Sequence, residues 1–433
     1  KEKYIPLNMD KFIIFIFSDT WNQSIYKDII IYFSKYNFEI CSLDKNDDLK
    51  KNLEHSNKSS IKNLLIKLIL KKKILNFNSK KKTLFFSTNI DNEKKKLIAK
   101  KVSKTIFLPP IPAFSSFFKV NYDHRNKLNV RTKNNDEFNQ FLVKKIKENI
   151  PIIFLELFNE HLEYIKTYDY PENPDHLITA SGLNHNSNMS RYVAEKLEKN
   201  SKLIFMQHGG CYGQYLYHWP EYHETEVSDK YLSWGWTDKE NKKIIPIGLN
   251  KDLKLKTYKK ENLKDIYLEI RVRSKYTSRL SSDKAFNHQQ YIKNCQELIS
   301  KVKNSKIYKN FFIRMHHRKL GWREEDEFKK IDPNIKFCST ELSSIDLRNN
   351  SKVYIHTSLS TGHLESASLR VPFLIFQDKR DEPFKEEYDH YVKEMENYKI
   401  LFSDPQDLVN HLEYIDNNLD EWWNNKNLQL FLK

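Results

Sequence analysis

Short apolar runs, each broken by polar or glycine-rich residues and followed by a helical stretch, recur along this chain and set what it can fold into. Thr83-Leu-Phe-Phe86, Ile106-Phe-Leu108, Leu177-Ile-Thr-Ala180 and Leu203-Ile-Phe-Met206 are all of this kind. Such runs are too short for buried helices and suit strands covered on both faces. Helical stretches at about 136–148 and 189–199 separate them. This alternation predicts a parallel, doubly wound α/β sheet. The same grammar resumes later, with strands expected at 265–270, 311–318, 352–356, 370–376 and 398–402. Helices are expected at 284–303 and from Pro405, with Ser403 or Asp404 as its N-cap. Residues 249–263 are charged and carry no apolar period. The predicted organisation is therefore a Rossmann-like domain over 1–250, a linker at 251–263 and a second Rossmann-like domain over 264–433. A length of 433 residues fits two domains, and 39% hydrophobic residues supply their cores. The terminal helix with Glu421-Trp422-Trp423 is expected to pack back on the first domain.

The densest chemistry lies at 203–236. Of the chain's 8 glycines, Gly209, Gly210 and Gly213 follow directly on the Leu203–Met206 run. Glycine lets backbone approach a ligand closely, and open α/β sheets bind ligands beyond the carboxyl ends of their strands. His208 sits on this turn and exchanges protons near neutral pH. His223, Glu224, Glu226 and Asp229 follow, then the strand-like Tyr231–Trp236. The competing structural reading is a tight turn with a satisfied surface histidine.

A second site candidate lies in the other half. Arg314, His316 and Arg318 fall on one side of an extended segment, and arginine grips phosphate in bidentate fashion. Arg271 ends the preceding strand. The run Thr357-Ser-Leu-Ser-Thr-Gly-His-Leu-Glu365 lies where a strand turns into a helix, a geometry that binds phosphate without a metal. Ser358 and Thr361 sit in that turn, and Glu365 is one helical turn on, placed to reach a ribose diol.

QHGGCYG, with E-x-E-V-S-D-K-Y-L-S-W-G-W after it, resembles the bacterial surface-carbohydrate transferases of the LIC12162 type, associated with O-antigen loci. More distantly it is similar to the GT-B transferases that build Kdo-linked capsule and teichoic acid. The strand–hydroxyl turn–T-G-x-x-E–helix segment resembles the nucleotide-binding segment of GT-B enzymes, and Arg314 with Gly321-Trp322 matches the family too. Cys211 departs from it, standing where a small residue is expected. The resemblance covers roughly 175 to 420. It implies two domains facing a central cleft, with Gly209, Gly210, Arg271, Arg314, His316, Ser358, Thr361 and Glu365 holding a nucleotide-activated sugar. CMP-linked donors are among those it admits. His208 would be general base or a hydrogen-bond donor to the donor phosphate. Glu224, Glu226 and Asp229 are the alternative bases, with Glu226 and Asp229 ranked first because they match the family segment. The acceptor would be a glycan or a lipid-linked glycan, and neither cofactor nor metal is expected.

Two other readings remain open on sequence alone. A polyol-phosphate transferase of the CDP-glycerol type would use the same fold. The net charge of +16 also admits a nucleic-acid-binding protein. No RNA- or DNA-binding signature accompanies that charge, so no nucleic-acid partner is expected. Much of the excess is lysine, alongside many Asn and Ile and few Gly, as an AT-rich genome would produce. GxGxxG and P-loop patterns are absent. The four cysteines are dispersed, which argues against zinc and disulfides and fits a reducing, cytoplasmic location. No apolar run is long enough to span a membrane. The basic amphipathic helix at 61–75, with Lys71-Lys72-Lys73, is either a solvated face or a contact with the anionic inner-membrane surface. The chain opens at Lys1, and residues are expected to precede it.

Overall fold

A computed structural model describes residues 32–33 and 83–432, except 103, 113, 115–119, 131, 133–135, 169, 184–185, 251–252, 254–262, 272, 274–284, 318–321, 340 and 379–382. The basic helix expected at 61–75 lies outside the described residues, as do Arg318, Gly321 and nearly all of the expected linker.

The chain divides into two compact units. The first runs to His208 and takes His223–Leu232 and Asp238–Ile245; the second takes Gly209–Tyr222, Ser233–Thr237 and Pro246–Lys433. The sequence places one break near residue 250, whereas the chain passes between the units several times after His208.

In the first unit the strands are β1 (Thr83–Phe86), β2 (Thr105–Leu108), β3 (His176–Thr179), β4 (Lys202–Met206), β5 (Lys230–Ser233) and β6 (Ile244–Pro246). They form one sheet in the order β2-β1-β3-β4-β5-β6. The pairs β1/β2, β1/β3, β3/β4 and β4/β5 are parallel, with Phe86 opposite Leu108 and Thr179, and Met206 opposite Leu232. Helices between the strands are α1 (Asn92–Lys101), α2 (Tyr122–Asn126), α3 (Glu137–Asn149), α4 (Phe158–Lys166), α5 (Ser187–Glu198) and α6 (Trp219–Val227). Asp91, Asp136 and Asn186 cap α1, α3 and α5 by accepting a first-turn N–H. The proline run after β2 is lashed to α5: Ile111 O accepts from Asn186 Nδ2 at 2.8 Å and Pro112 O from Asn188. A buried ion pair, Arg125 to Glu156 at 2.7 Å, also closes the C-terminal end of α3 through Lys147 O and Glu148 O.

The second unit carries β7 (Ile266–Glu269), β8 (Phe311–Arg314), β9 (Val353–His356), β10 (Phe373–Phe376) and β11 (Leu401–Phe402), in the order β11-β10-β9-β7-β8. All four pairings are parallel. Its helices are α7 (Ala285–Lys303), α8 (Glu324–Ile331), α9 (Ser344–Asn349), α10 (Thr361–Leu369), α11 (Asp389–Asn397), α12 (Pro405–Trp423) and α13 (Lys426–Phe431). β9 and β10 are buried at every residue, as parallel strands sandwiched between helices must be. Leu298, Ile299 and Val302 of α7 and Leu408, Leu412 and Ile415 of α12 cover one face. Trp422 and Trp423 belong to the core of this same unit, Trp423 edge-on to Phe373.

In each unit the first two described strands reverse the winding direction against the rest. Counted from each sheet's first described strand, the order is 2-1-3-4-5-6 in the first unit and 2-1-3-4-5 in the second, which creates a switch point between the first and third strands. In the second unit that point falls between β7 and β9, whose last residues are Glu269 and His356.

Of the buried imidazoles among the described residues, three are shifted furthest. Burial holds His223 at about 4, His363 at about 3 and His411 at about 4. Each is therefore neutral when folded and titrates at an ordinary value when unfolded. Their stabilising effect is complete above about pH 6.5 and is lost as pH falls toward 4, because only the unfolded chain binds those protons. Stability should fall from pH 6.5 to 4, with a slope approaching about 1.4 kcal/mol per pH unit for each histidine. Thermal melts across that range measure it, and His411→Leu should flatten the slope.

Candidate active site

In the second unit, β9 delivers His356 to the switch point and the chain turns through Thr357–Ser360 into α10. The loop is held on every side. Leu359 N–H donates to Gln377 Oε1 at 2.6 Å, and Tyr215 O–H donates to Leu359 O at 2.8 Å. Ser360 N–H donates to His363 Nδ1 at 2.9 Å, closing the helix start with a neutral imidazole. Ser358 Oγ lies 3.3 Å from Ser360 Oγ. The first-turn N–H groups of a helix have no intrahelical partner, and with the helix dipole they favour an anion.

The glycine turn sits against this helix start. Gly210 N–H donates to Thr361 Oγ1 at 2.7 Å. A Cβ on Gly210 would lie 2.2 Å from the Ser360 carbonyl carbon, so backbone meets backbone and only glycine fits. Gly209 is less constrained: its added Cβ would stand 3.6 Å from Thr361 Oγ1. The two motifs expected on opposite domains are thus joined here through Gly210 and Thr361. Cys211 takes a positive φ of 75°, a conformation in which a side chain is strained.

Across the strand ends, Glu269 of β7 pairs in register with Arg314 of β8 and His356 of β9. Arg314 Nη1 donates to Glu269 Oε1 at 2.8 Å, and His356 Nδ1 lies 3.2 Å from Glu269 Oε2. Arg348, from α9, sits 2.5 Å from Glu365 Oε2 and 3.9 Å from Glu269 Oε2. Burial pushes the Glu269 carboxyl up, but the His356 hydrogen bond and the Arg348 and Arg314 charges outweigh it and hold the group at about 2. Burial pushes the His356 imidazole down, so it is neutral.

Several expectations are corrected. β8 ends at Arg314, not at residue 318, so the period-two argument aligning Arg314 with His316 does not apply; His316 instead stacks on His317, centroids 4.3 Å apart. Glu365 is not a free carboxylate on the helix surface but is buried against Arg348. Arg271 is held by its own backbone, its N–H donating to Tyr291 Oη at 2.9 Å, while its guanidinium lies over the Tyr291 ring at 4.1 Å. Neither Glu269 nor Arg348 was singled out from the sequence. A strand ending in Ile-Tyr-Leu-Glu next to basic strand ends is the signal that points to Glu269.

In the first unit, His208 follows β4 at its carboxyl end. Its Nε2 lies 3.0 Å from Glu224 Oε1, and Glu224 is fully buried. An ionised carboxylate only accepts, so in that state Nε2 carries the proton and Nδ1 keeps the lone pair. Of the three candidate carboxylates, Glu224 is the one seen paired with His208. Residues 219–227 form α6, which turns Glu224 inward and leaves Glu226 exposed. Asp229 lies at the other end of the sheet. It accepts from Leu203 N at 2.9 Å and Lys202 Nζ at 3.0 Å, at the amino end of β4. Five residues of strand separate Leu203 from His208, roughly 16 Å. Among the described residues, no group of three or more His, Cys, Asp or Glu is arranged to hold a metal ion, and no helix is long and apolar enough to cross a membrane.

No curated protein matches the chain. Among solved structures it is similar to S. aureus MnaA with UDP, at 11% identity over 81% of this chain and 91% of that one, TM-score 0.42. It is also similar to Acinetobacter baumannii MurG, at 10% identity over 80% and 94%, TM-score 0.37. Medicago truncatula UGT71G1 with UDP-glucose gives 10% identity over 81% and 92%, TM-score 0.38. The sequence itself is more decisive: a model of the LIC12162 family of transferases matches residues 1–431, and the chain belongs to that family.

Proposed function

We propose that this transferase is a metal-independent glycosyltransferase that takes a nucleotide-activated sugar and builds a bacterial surface polysaccharide such as O-antigen or capsule. The observation that carries this reading is the α10 start at the switch point of the second unit, a hydroxyl-lined helix N-terminus flanked by Arg271. Helix N–H groups and guanidinium charge stabilise a departing phosphate where no metal is bound. Family membership supports transfer chemistry, and two parallel α/β units in tandem are the components of a GT-B enzyme.

In this reading the nucleotide phosphate lies on Ser358, Thr361 and the first turn of α10, with Arg271 and Arg314 supplying charge. His208 acts as general base. Its Nδ1 removes the proton of an acceptor hydroxyl, the oxygen attacks the anomeric carbon, and the bond from that carbon to the phosphate oxygen breaks. The nucleotide leaves with the electron pair, stabilised by the helix start. Glu224 orients the imidazole and stabilises the imidazolium that forms, as the third group of a catalytic triad does. The acceptor is a glycan or a lipid-linked glycan presented at the anionic inner face of the membrane.

Calorimetric titration with CMP, CDP, UDP, GDP and ADP, each with and without EDTA, tests the donor side. One nucleotide should bind at micromolar strength, indifferent to EDTA, and Arg271→Ala should abolish it. CMP would identify a monophosphate-linked donor, UDP or GDP an ordinary hexose donor, and CDP would favour transfer of a polyol phosphate instead. Binding of none of the five removes the reading.

With the donor known, turnover of variants tests the base. His208→Ala should lower kcat about 10²–10⁴-fold, the usual worth of general base catalysis. Asp229→Asn, at the far end of β4, should leave kcat unchanged. The reverse pattern would restore the carboxylate as base.

A further inference from the structure

Glu269 ends β7 at the switch point, a place where a carboxylate is out of character. A negative charge beside a phosphate site repels the ligand, and burying it is costly unless it is fully paired. The surroundings pair it completely. Arg314 Nη1 is 2.8 Å from one oxygen, and His356 Nδ1 is 3.2 Å from the other, with Arg348 Nη2 at 3.9 Å. Its backbone carbonyl also accepts from Thr357 Oγ1 at 2.7 Å, at the root of the loop leading into α10.

Two of these links run on into α10. Because the carboxylate only accepts, the neutral His356 carries its proton on Nδ1, and Nε2 accepts from Ser366 O–H at 2.9 Å. Arg348 bridges in parallel to Glu365 at 2.5 Å. The imidazole is seated tightly: a Cβ on Gly362 would come within 2.8 Å of its Nδ1. On the opposite flank, one of Arg314's donors is fixed on Glu269. A guanidinium is planar with five donors in fixed directions, so fixing one fixes where the others point.

We infer that Glu269 is a positioning residue for nucleotide binding: its carboxylate aims Arg314 and, through His356 and Arg348, sets helix α10 against the ends of the strands. This inference rests on the function proposed above and names a residue that function does not require. Glu269 does not touch the substrate. It stays ionised at working pH, so it donates no proton, and its oxygens face two guanidiniums and an imidazole.

The test uses the full chain and whichever of the five nucleotides binds the unsubstituted protein. Glu269→Gln keeps the shape and removes the charge. The variant should fold, checked by near-ultraviolet circular dichroism, and its Kd should rise about tenfold or more, an effect of roughly 1.4 kcal/mol. In turnover the loss should appear in KM for the donor, with kcat little changed, because the chemical groups are untouched. The decisive readout is coupling. Glu269 acts partly through Arg314, so in an Arg314→Ala background Glu269→Gln should raise Kd by clearly less than it does alone. A merely structural glutamate would lower the melting temperature and leave the losses additive.

A folded Glu269→Gln with unchanged Kd, or full additivity with Arg314→Ala, overturns the inference while nucleotide binding by the unsubstituted chain still stands. If Glu269→Gln does not fold, His356→Gln severs only the imidazole link and faces the same criterion, weakened nucleotide binding in a folded protein. If the unsubstituted chain binds none of the five, the proposed function itself fails and takes this inference with it.

Discussion

A buried carboxylate must be surrounded, and the carboxyl edge of the second sheet is built around that requirement. Parallel pairing puts the last residues of β7, β8 and β9 side by side, so one glutamate meets an arginine and a histidine without any loop to bring them together. The 2-1-3-4-5 order leaves a gap in the helix layer at this point. α9 supplies Arg348 and α10 supplies Ser366 and Glu365, which complete the pairing. Removing Glu269 or Glu365 would strip a buried arginine of a carboxylate partner, so the edge is held for an electrostatic reason as much as a packing one.

That rigid edge determines what the glycine turn can do. Gly210 lies flat on the backbone of Ser360, an approach closed to any side chain, and its N–H fixes the Thr361 hydroxyl. His208 stands two residues earlier in the chain and takes its orientation from the buried Glu224.

The fold was largely legible because its elements announce themselves locally. Buried parallel strands read as apolar runs, and the runs at 83–86 and 203–206 appear as β1 and β4 with at most one residue of difference. Helix starts were readable where a capping residue precedes them, as Asp404 does for α12. The site was only half legible. His208, Gly210 and Thr361 announce themselves by residue type at a strand end. Glu224 did not, because residues 219–227 carry no clean apolar period, and without the helix nothing distinguishes the inward glutamate from the outward one. Asp229 reads correctly as the residue before β5, but the sequence does not show that this is the amino end of the sheet, where it meets Leu203 N–H and Lys202. Glu269 and Arg348 lie 79 residues apart in sequence numbering, and only the packing of α9 beside the strand ends brings them together.

The histidines around α10 sharpen the picture of how an anion is received there. His356 and His363 flank the helix start, yet burial keeps both neutral, and each accepts a hydrogen bond from its own element or the next. The helix dipole and the guanidiniums are the remaining positive groups at this edge, and none of them titrates near neutrality. Arg314 and Arg348 are each held by a carboxylate, Glu269 and Glu365, which fixes where their guanidiniums lie. The His208 imidazole, by contrast, is partly exposed, and its partner Glu224 is buried within the same unit.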